Sequence, residues 1–172
     1  IVRPSAEFNL SWSGRHPDDP SNYAEGYARM VREMLSVDGA NFDFTYSPAQ
    51  RPGGVEAECW PVDAPSWPSA ADEPVITPTI YDDGYFPYQD GGDTTPDEQT
   101  AKKAWQQEIY ANKIEPWEDF AAARNTKFGG SFEWGCMGVG TPFPESSGGD
   151  NPYFVGKFLN YGRDNDWDYQ TY

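Results

Sequence analysis

Aliphatic side chains are scarce in this chain. It has three leucines, Leu10, Leu35 and Leu159, and Leu, Ile, Val and Phe together make up about 15% of its 172 residues, a level associated with disordered polypeptides. A core built in the ordinary way from branched aliphatics is thereby excluded. Basic charge is also short, with 12 Lys plus Arg against 28 Asp plus Glu and a formal net charge of −16. A field of that sign repels phosphate backbones and anionic membrane surfaces, so nucleic acid is not an expected partner. No stretch approaches the roughly 20 apolar residues that a membrane-spanning helix needs.

The single histidine, His16, excludes His-pair zinc and iron sites and reads as an exposed residue of the turn-rich stretch Arg15 to Pro20. P-loop, dinucleotide, nucleophile-elbow and Cys-x-x-Cys patterns do not occur, and no cofactor is expected. The sequence starts at Ile1 rather than Met. With the acidic composition, this reads as a protein of an organelle lumen or the extracellular space after loss of a leader.

What the chain has instead is rings: seven Trp, eleven Tyr and ten Phe. Each can bury roughly 150–250 Å², so they must supply most of the apolar surface. Sixteen Pro and seventeen Gly shorten helices and strands alike. The expected fold is α+β: one irregular, loop-rich domain over 1–172 with two or three short helices and a few short antiparallel strands. Long loop-rich segments are expected at about 61–94 and 141–172.

Alternation of Phe8, Leu10 and Trp12 with Asn9, Ser11 and Ser13 predicts a strand near 6–13. Asn22, with Glu25 three positions on, predicts a helix start, and Tyr23, Tyr27, Met30, Val31 and Met34 continue it at helical spacing to Asp38-Gly39. Short strands are expected over Asn41–Tyr46, Val55–Trp60 and Ser131–Trp134. Thr95-Pro96-Asp97-Glu98 predicts a second helix to about Asn112, and Pro116 separates it from a third over Trp117–Ala123.

Two constellations bear on chemistry. Cys59 and Cys136 are the only cysteines, and a disulfide between them would close a long loop worth about 4–5 kcal/mol. It would also bring Glu58 and Glu133, each near a tryptophan, within about 10 Å, the arrangement of a glycoside hydrolase or a sugar-binding module. The alternation of both segments instead points these glutamates outward. Asp164, Asp166 and Asp168 repeat the ligand spacing of a calcium loop, but Tyr169 stands where its glycine belongs, so they read as solvated turn residues.

These features favour a non-catalytic, acidic accessory subunit whose aromatic and proline-rich loops drape over a larger protein assembly, since aromatic anchors carry much of the energy of interfaces. A peripheral subunit of an organellar membrane complex, or a protein decorating a particle or filament, would fit. The anchors expected are Trp67, Tyr81, Tyr85, Phe86, Tyr88, Trp117, Tyr153, Phe154, Trp167 and Tyr172. A secreted carbohydrate-active protein using Glu58 and Glu133 is the alternative.

Overall fold

Asp19 starts the first helix. In the computed structural model, which describes residues 1–4, 6–9, 17–49, 54–83, 96–136 and 149–170 and leaves aside the side chains of 169 and 170, its carboxylate accepts from the backbone N–H of Ser21 (2.9 Å) and Asn22 (3.2 Å). Pro20 then occupies the first helical position, where the missing N–H costs nothing. Helix α1 thus spans Pro20–Leu35 and begins earlier than an Asn22 cap implies. The Asn22 amide instead donates to Asp19 (2.9 Å). One face buries Ala24, Tyr27, Ala28 and Val31, and Gly39, at φ 75°, turns the chain back in a conformation that suits glycine.

The strands are parallel, which corrects the antiparallel expectation. β1 (Thr45–Tyr46) pairs with β2 (Val75–Ile76), β3 (Thr79–Tyr81) with β5 (Glu133–Gly135), and β4 (Gly130–Ser131) with β6 (Tyr169–Gln170). Single parallel bridges join Val2 to Phe44, Ala6 to Ser47 and Ile76 to Phe128. The extended segments therefore lie in the order 2–6, 44–47, 75–81, 128–135 and 169–170. Parallel neighbours need crossovers rather than hairpins, and α1 supplies the first of these. Later helices supply those from β3 to β4 and from β5 to β6. Short strands and abundant turn residues suggested hairpins, but the crossovers are carried by helices that were only partly legible.

The longest crossover is helical without a break from α2 (Glu98–Ala104) through a π-helical segment (Trp105–Ile114) into α3 (Glu115–Ala123). Asp97 caps it by accepting from Thr100 N–H (3.0 Å). Pro116 was expected to divide it. Because proline stands in the first turn of α3, just where the wider π turn hands over, the helix continues past it. A further helix, α4 (Pro152–Asp164), occupies the tail that was expected to be loop. Asn151 caps it through Phe154 N–H (3.0 Å), and Pro152 opens it. Val55–Trp60 is a helical turn, with Cys59 N–H donating to Val55 C=O (3.0 Å), not a strand. Of the strand expected near 6–13, Ala6 bridges to Ser47 and residues 10–13 lie outside the described ones.

Rings fill the interior. Phe8, Tyr46, Trp60, Trp105, Trp117, Phe128, Trp134, Phe154 and Phe158 share one cluster with Ile76, Ile80, Ile109 and Ile114. They interlock as tilted, stacked and edge-on pairs: Tyr46 meets Trp60 at 5.1 Å, Trp117 meets Phe120 at 5.3 Å and Trp134 stacks on Phe158 at 4.6 Å. Each such pair adds about 0.5–1.5 kcal/mol beyond burial. A second cluster, around Tyr27, Val31 and Phe44, seats α1.

Candidate site at the carboxyl edge of the strands

Parallel strands aim all their carboxyl ends at one edge. Here the edge is polar. After the first extended segment comes Glu7, whose backbone is held at φ 53°, an uncommon conformation for a residue with a side chain. Its carboxylate accepts from Thr79 Oγ1 (2.8 Å). Asn9 follows, donating to Glu56 Oε1 (2.5 Å) and accepting from Ala49 N–H (2.5 Å). Ser47, after β1, shares a hydrogen bond with Thr77 (2.7 Å).

The deepest part lies beyond β3 and β5. Asp82 and Asp83 follow β3, and both are buried. Lys113, fully buried on the π-helical segment, directs its ammonium to the carbonyls of Tyr81 (2.6 Å) and Asp83 (2.7 Å) and to the Asp83 carboxylate. A charged amine is tolerated at this depth because the acceptors around it include a carboxylate that supplies the counter-charge. Asp82 accepts from the Asn151 side chain (3.1 Å), and Asn151 caps α4, so the helix end and the carboxylate are fixed to each other. Cys136 follows β5 and points its thiol at the Asn151 carbonyl (3.8 Å). Burial, and then the nearby Asp82, push that thiol up to about 11, so it stays protonated at neutral pH and is a poor nucleophile.

Glu133 stands at the opposite, amino end of β5, in register with Thr79, where it accepts from Tyr81 Oη (2.6 Å) and faces Arg3 at 3.7 Å. Burial first, then this hydrogen bond, raise the Tyr81 phenol above its ordinary range. Two carboxylates, one amide and one buried ammonium thus meet from the end of β3, the π-helical segment and the start of α4. These groups hydrogen-bond to one another and fix the end of β3 to the π-helical segment and to α4.

The other sequence-selected residues fall elsewhere. Cys59 and Cys136 are free thiols, which corrects the expected disulfide; Cys59 is buried near Tyr46 and Glu56, and burial pushes it up to about 12. Without the bridge, Glu58 and Glu133 belong to separate neighbourhoods. Glu58 lines a recess against Ser21 and Ala24 of α1, while Glu133 is tied to Tyr81 and Arg3. The tryptophans meant as sugar platforms, Trp60 and Trp134, are 3% and 6% exposed and belong to the core. Asp164 pairs with Arg163 and Asp168 with Lys127. Among the described residues no group of three or more His, Cys, Asp or Glu is placed to hold a metal ion.

Of the expected anchors, Trp117 and Phe154 are 0% and 2% exposed. They are structural, because a chain poor in leucine needs its largest rings inside. Trp67 stacks on Tyr27 (6.4 Å) and Trp167 meets Phe158 edge-on (5.1 Å); both are half-buried, as are Tyr81 and Tyr153. Tyr85, Phe86, Tyr88 and Tyr172, like His16, lie outside the described residues. Sequence reasoning missed Lys113, Glu7 and Asn151. Only Asn151 carried a usable signal, the Asn-Pro pair of a helix start.

No protein family, curated protein or solved structure matches the chain. No helix among the described residues is long and apolar enough to cross a membrane.

Proposed function

We propose that the protein is a non-catalytic binding domain that takes a small polar ligand at the carboxyl edge of its parallel strands. The observation that carries this reading is the convergence of Asp82, Asp83, Lys113 and Asn151 from separate elements onto one buried polar cluster beyond β3 and β5. Burying charge costs stability unless it is well partnered, so a chain that buries this much of it at the strand ends has a reason to keep it there. The test is a thermal-shift screen of small polar metabolites against the wild type and Asp82→Asn. A compound that raises the Tm of the wild type and leaves the variant unmoved supports the reading; no compound raising it, or equal shifts in both, sinks it.

A second reading, the acidic accessory subunit of a larger assembly, has its own observation. Val37 (63% exposed) and Phe42 (37% exposed) lie on one loop after α1, an apolar point on a chain of charge −16 that suits a basic partner surface. Size fractionation of native extracts separates the two. A subunit migrates in a high-mass complex, which Phe42→Asp would disperse; a solitary binding domain migrates as a monomer.

A further inference from the structure

Arg124 lays its charge over two rings. It caps the C-terminal end of α3, where a cation suits the helix dipole, and its guanidinium lies 3.6 Å from the centroid of Phe120 and 5.6 Å from that of Trp60. Its buried Nε has no hydrogen-bond partner. Among the described residues it forms no ion pair. An unpaired buried N–H is costly, and this guanidinium carries one.

The same guanidinium lines a cavity of about 360 Å³ together with Trp60, Val62, Asp63, Glu73 and Ala123. That is within the range of small-molecule sites, roughly 300–1,000 Å³. Asp63 ends a short 3₁₀ turn, Pro61–Asp63, and Glu73 precedes β2, so the two carboxylates reach the cavity from elements other than α3. Neither carboxylate reaches the guanidinium, and the cavity keeps its opposite charges apart. A guanidinium fork matches a carboxylate, to which it can donate two parallel hydrogen bonds. A simple dianion such as sulfate is disfavoured by Asp63 and Glu73, and a simple cation by Arg124. The ligand that satisfies both walls carries one charge of each sign, a few ångströms apart.

We propose that this cavity binds a small zwitterion of the α-amino acid type, its carboxylate on Arg124 and its ammonium between Asp63 and Glu73, with Trp60 and Val62 against the side chain. The site is separate from the carboxyl-edge cluster and stands or falls independently of it.

The test titrates L-alanine and L-glutamine into ¹⁵N-labelled protein and follows the Arg124 Nε–H resonance. Acetate and methylammonium serve as the one-charge halves, and N-acetyl-alanine amide as the uncharged control. Saturable movement of that resonance by an amino acid, absent with the amide and at least about tenfold weaker with either half, is expected; tenfold is about 1.4 kcal/mol. Arg124→Gln should weaken binding about tenfold or more. Because Arg124 also covers Phe120, the variant Asp63→Asn/Glu73→Gln, on exposed residues, tests the opposite wall without touching the core, and it should reduce amino-acid binding to that of acetate. No saturable shift with either amino acid, acetate binding as tightly as L-alanine, or undiminished binding in the Asp63→Asn/Glu73→Gln protein overturns the proposal. Failure of the carboxyl-edge reading would leave all of these outcomes unchanged.

Discussion

At the scale of single residues, the molecule places charge and reactive groups where burial decides their state. Lys113 and Asp83 are partners in a space without water, so removing one strands the other. Lys113→Met should cost about 3–5 kcal/mol, as expected when a buried ion is left uncompensated; urea denaturation of the purified protein measures it. Adding Asp83→Asn should recover part of the loss, because a neutral pair has less charge to solvate. The thiols and phenols give a second prediction. Cys59 and Cys136 are pushed up from 9.0 to about 12 and about 11, mainly by burial, and burial likewise raises Tyr27 and Tyr46 above 10.0. All four groups are neutral when protonated, so above about pH 9 the folded chain holds protons that the unfolded chain releases. Stability should then fall as pH rises, with the loss starting near pH 9 and steepening above pH 10. Denaturation midpoints measured from pH 7 to 11 check the sign; a midpoint that stays level across that range would contradict the burial of these groups.

At the scale of elements, caps and crossovers explain what could and could not be read in advance. α1 was legible because Tyr23, Tyr27, Met30, Val31 and Met34 repeat at helical spacing, and its start was misplaced only because Asp19, not Asn22, holds the first N–H groups. The Asp97 cap and the helical stretch behind it were also visible. Strand direction was not: β1, β2, β4 and β6 have two residues each, too few for alternation to reveal a partner, and parallel pairing follows from the whole topology rather than any local pattern. The site suffered the same way. The Asp82-Asp83 pair, Lys113 and Asn151 are far apart in sequence, and only the crossovers bring them together. α4 was hidden by its ring-rich composition, although Asn151-Pro152 marks its start. Asn151 also ties the helix to Asp82, which gives a prediction larger than an ordinary cap. Asn151→Ala should cost roughly 1–2 kcal/mol for the lost cap and further stability for the carboxylate left short of a donor. Hydrogen exchange should show the added opening confined to the first turn of α4 and the end of β3. Exchange accelerated uniformly over the chain would instead mean that the cap merely sets global stability.

At the scale of the whole molecule, two opposing quantities set the balance. Cohesion comes from a ring-rich cluster that runs from Phe8 to Phe158 in sequence, which resolves the conflict posed by so few leucines: most of the described tryptophans are spent on the chain's own interior. Against this stands a net charge of −16, whose self-repulsion is greater in the compact state than in the expanded one. The described ion pairs relieve little of it, since apart from Lys113–Asp83 they are largely exposed, and exposed pairs contribute little. Screening should therefore stabilise the fold. The Debye length shrinks from about 10 Å at 0.1 M salt to about 3 Å at 1 M, so distant like charges cease to interact, while the ring cluster, being uncharged, loses nothing. The Tm should rise steadily with added sodium chloride, and the tryptophan emission of the native protein should stay blue-shifted throughout. A Tm that falls with salt would mean that attractive surface pairs outweigh repulsion, and emission that shifts to the red would mean that the rings are not enclosed.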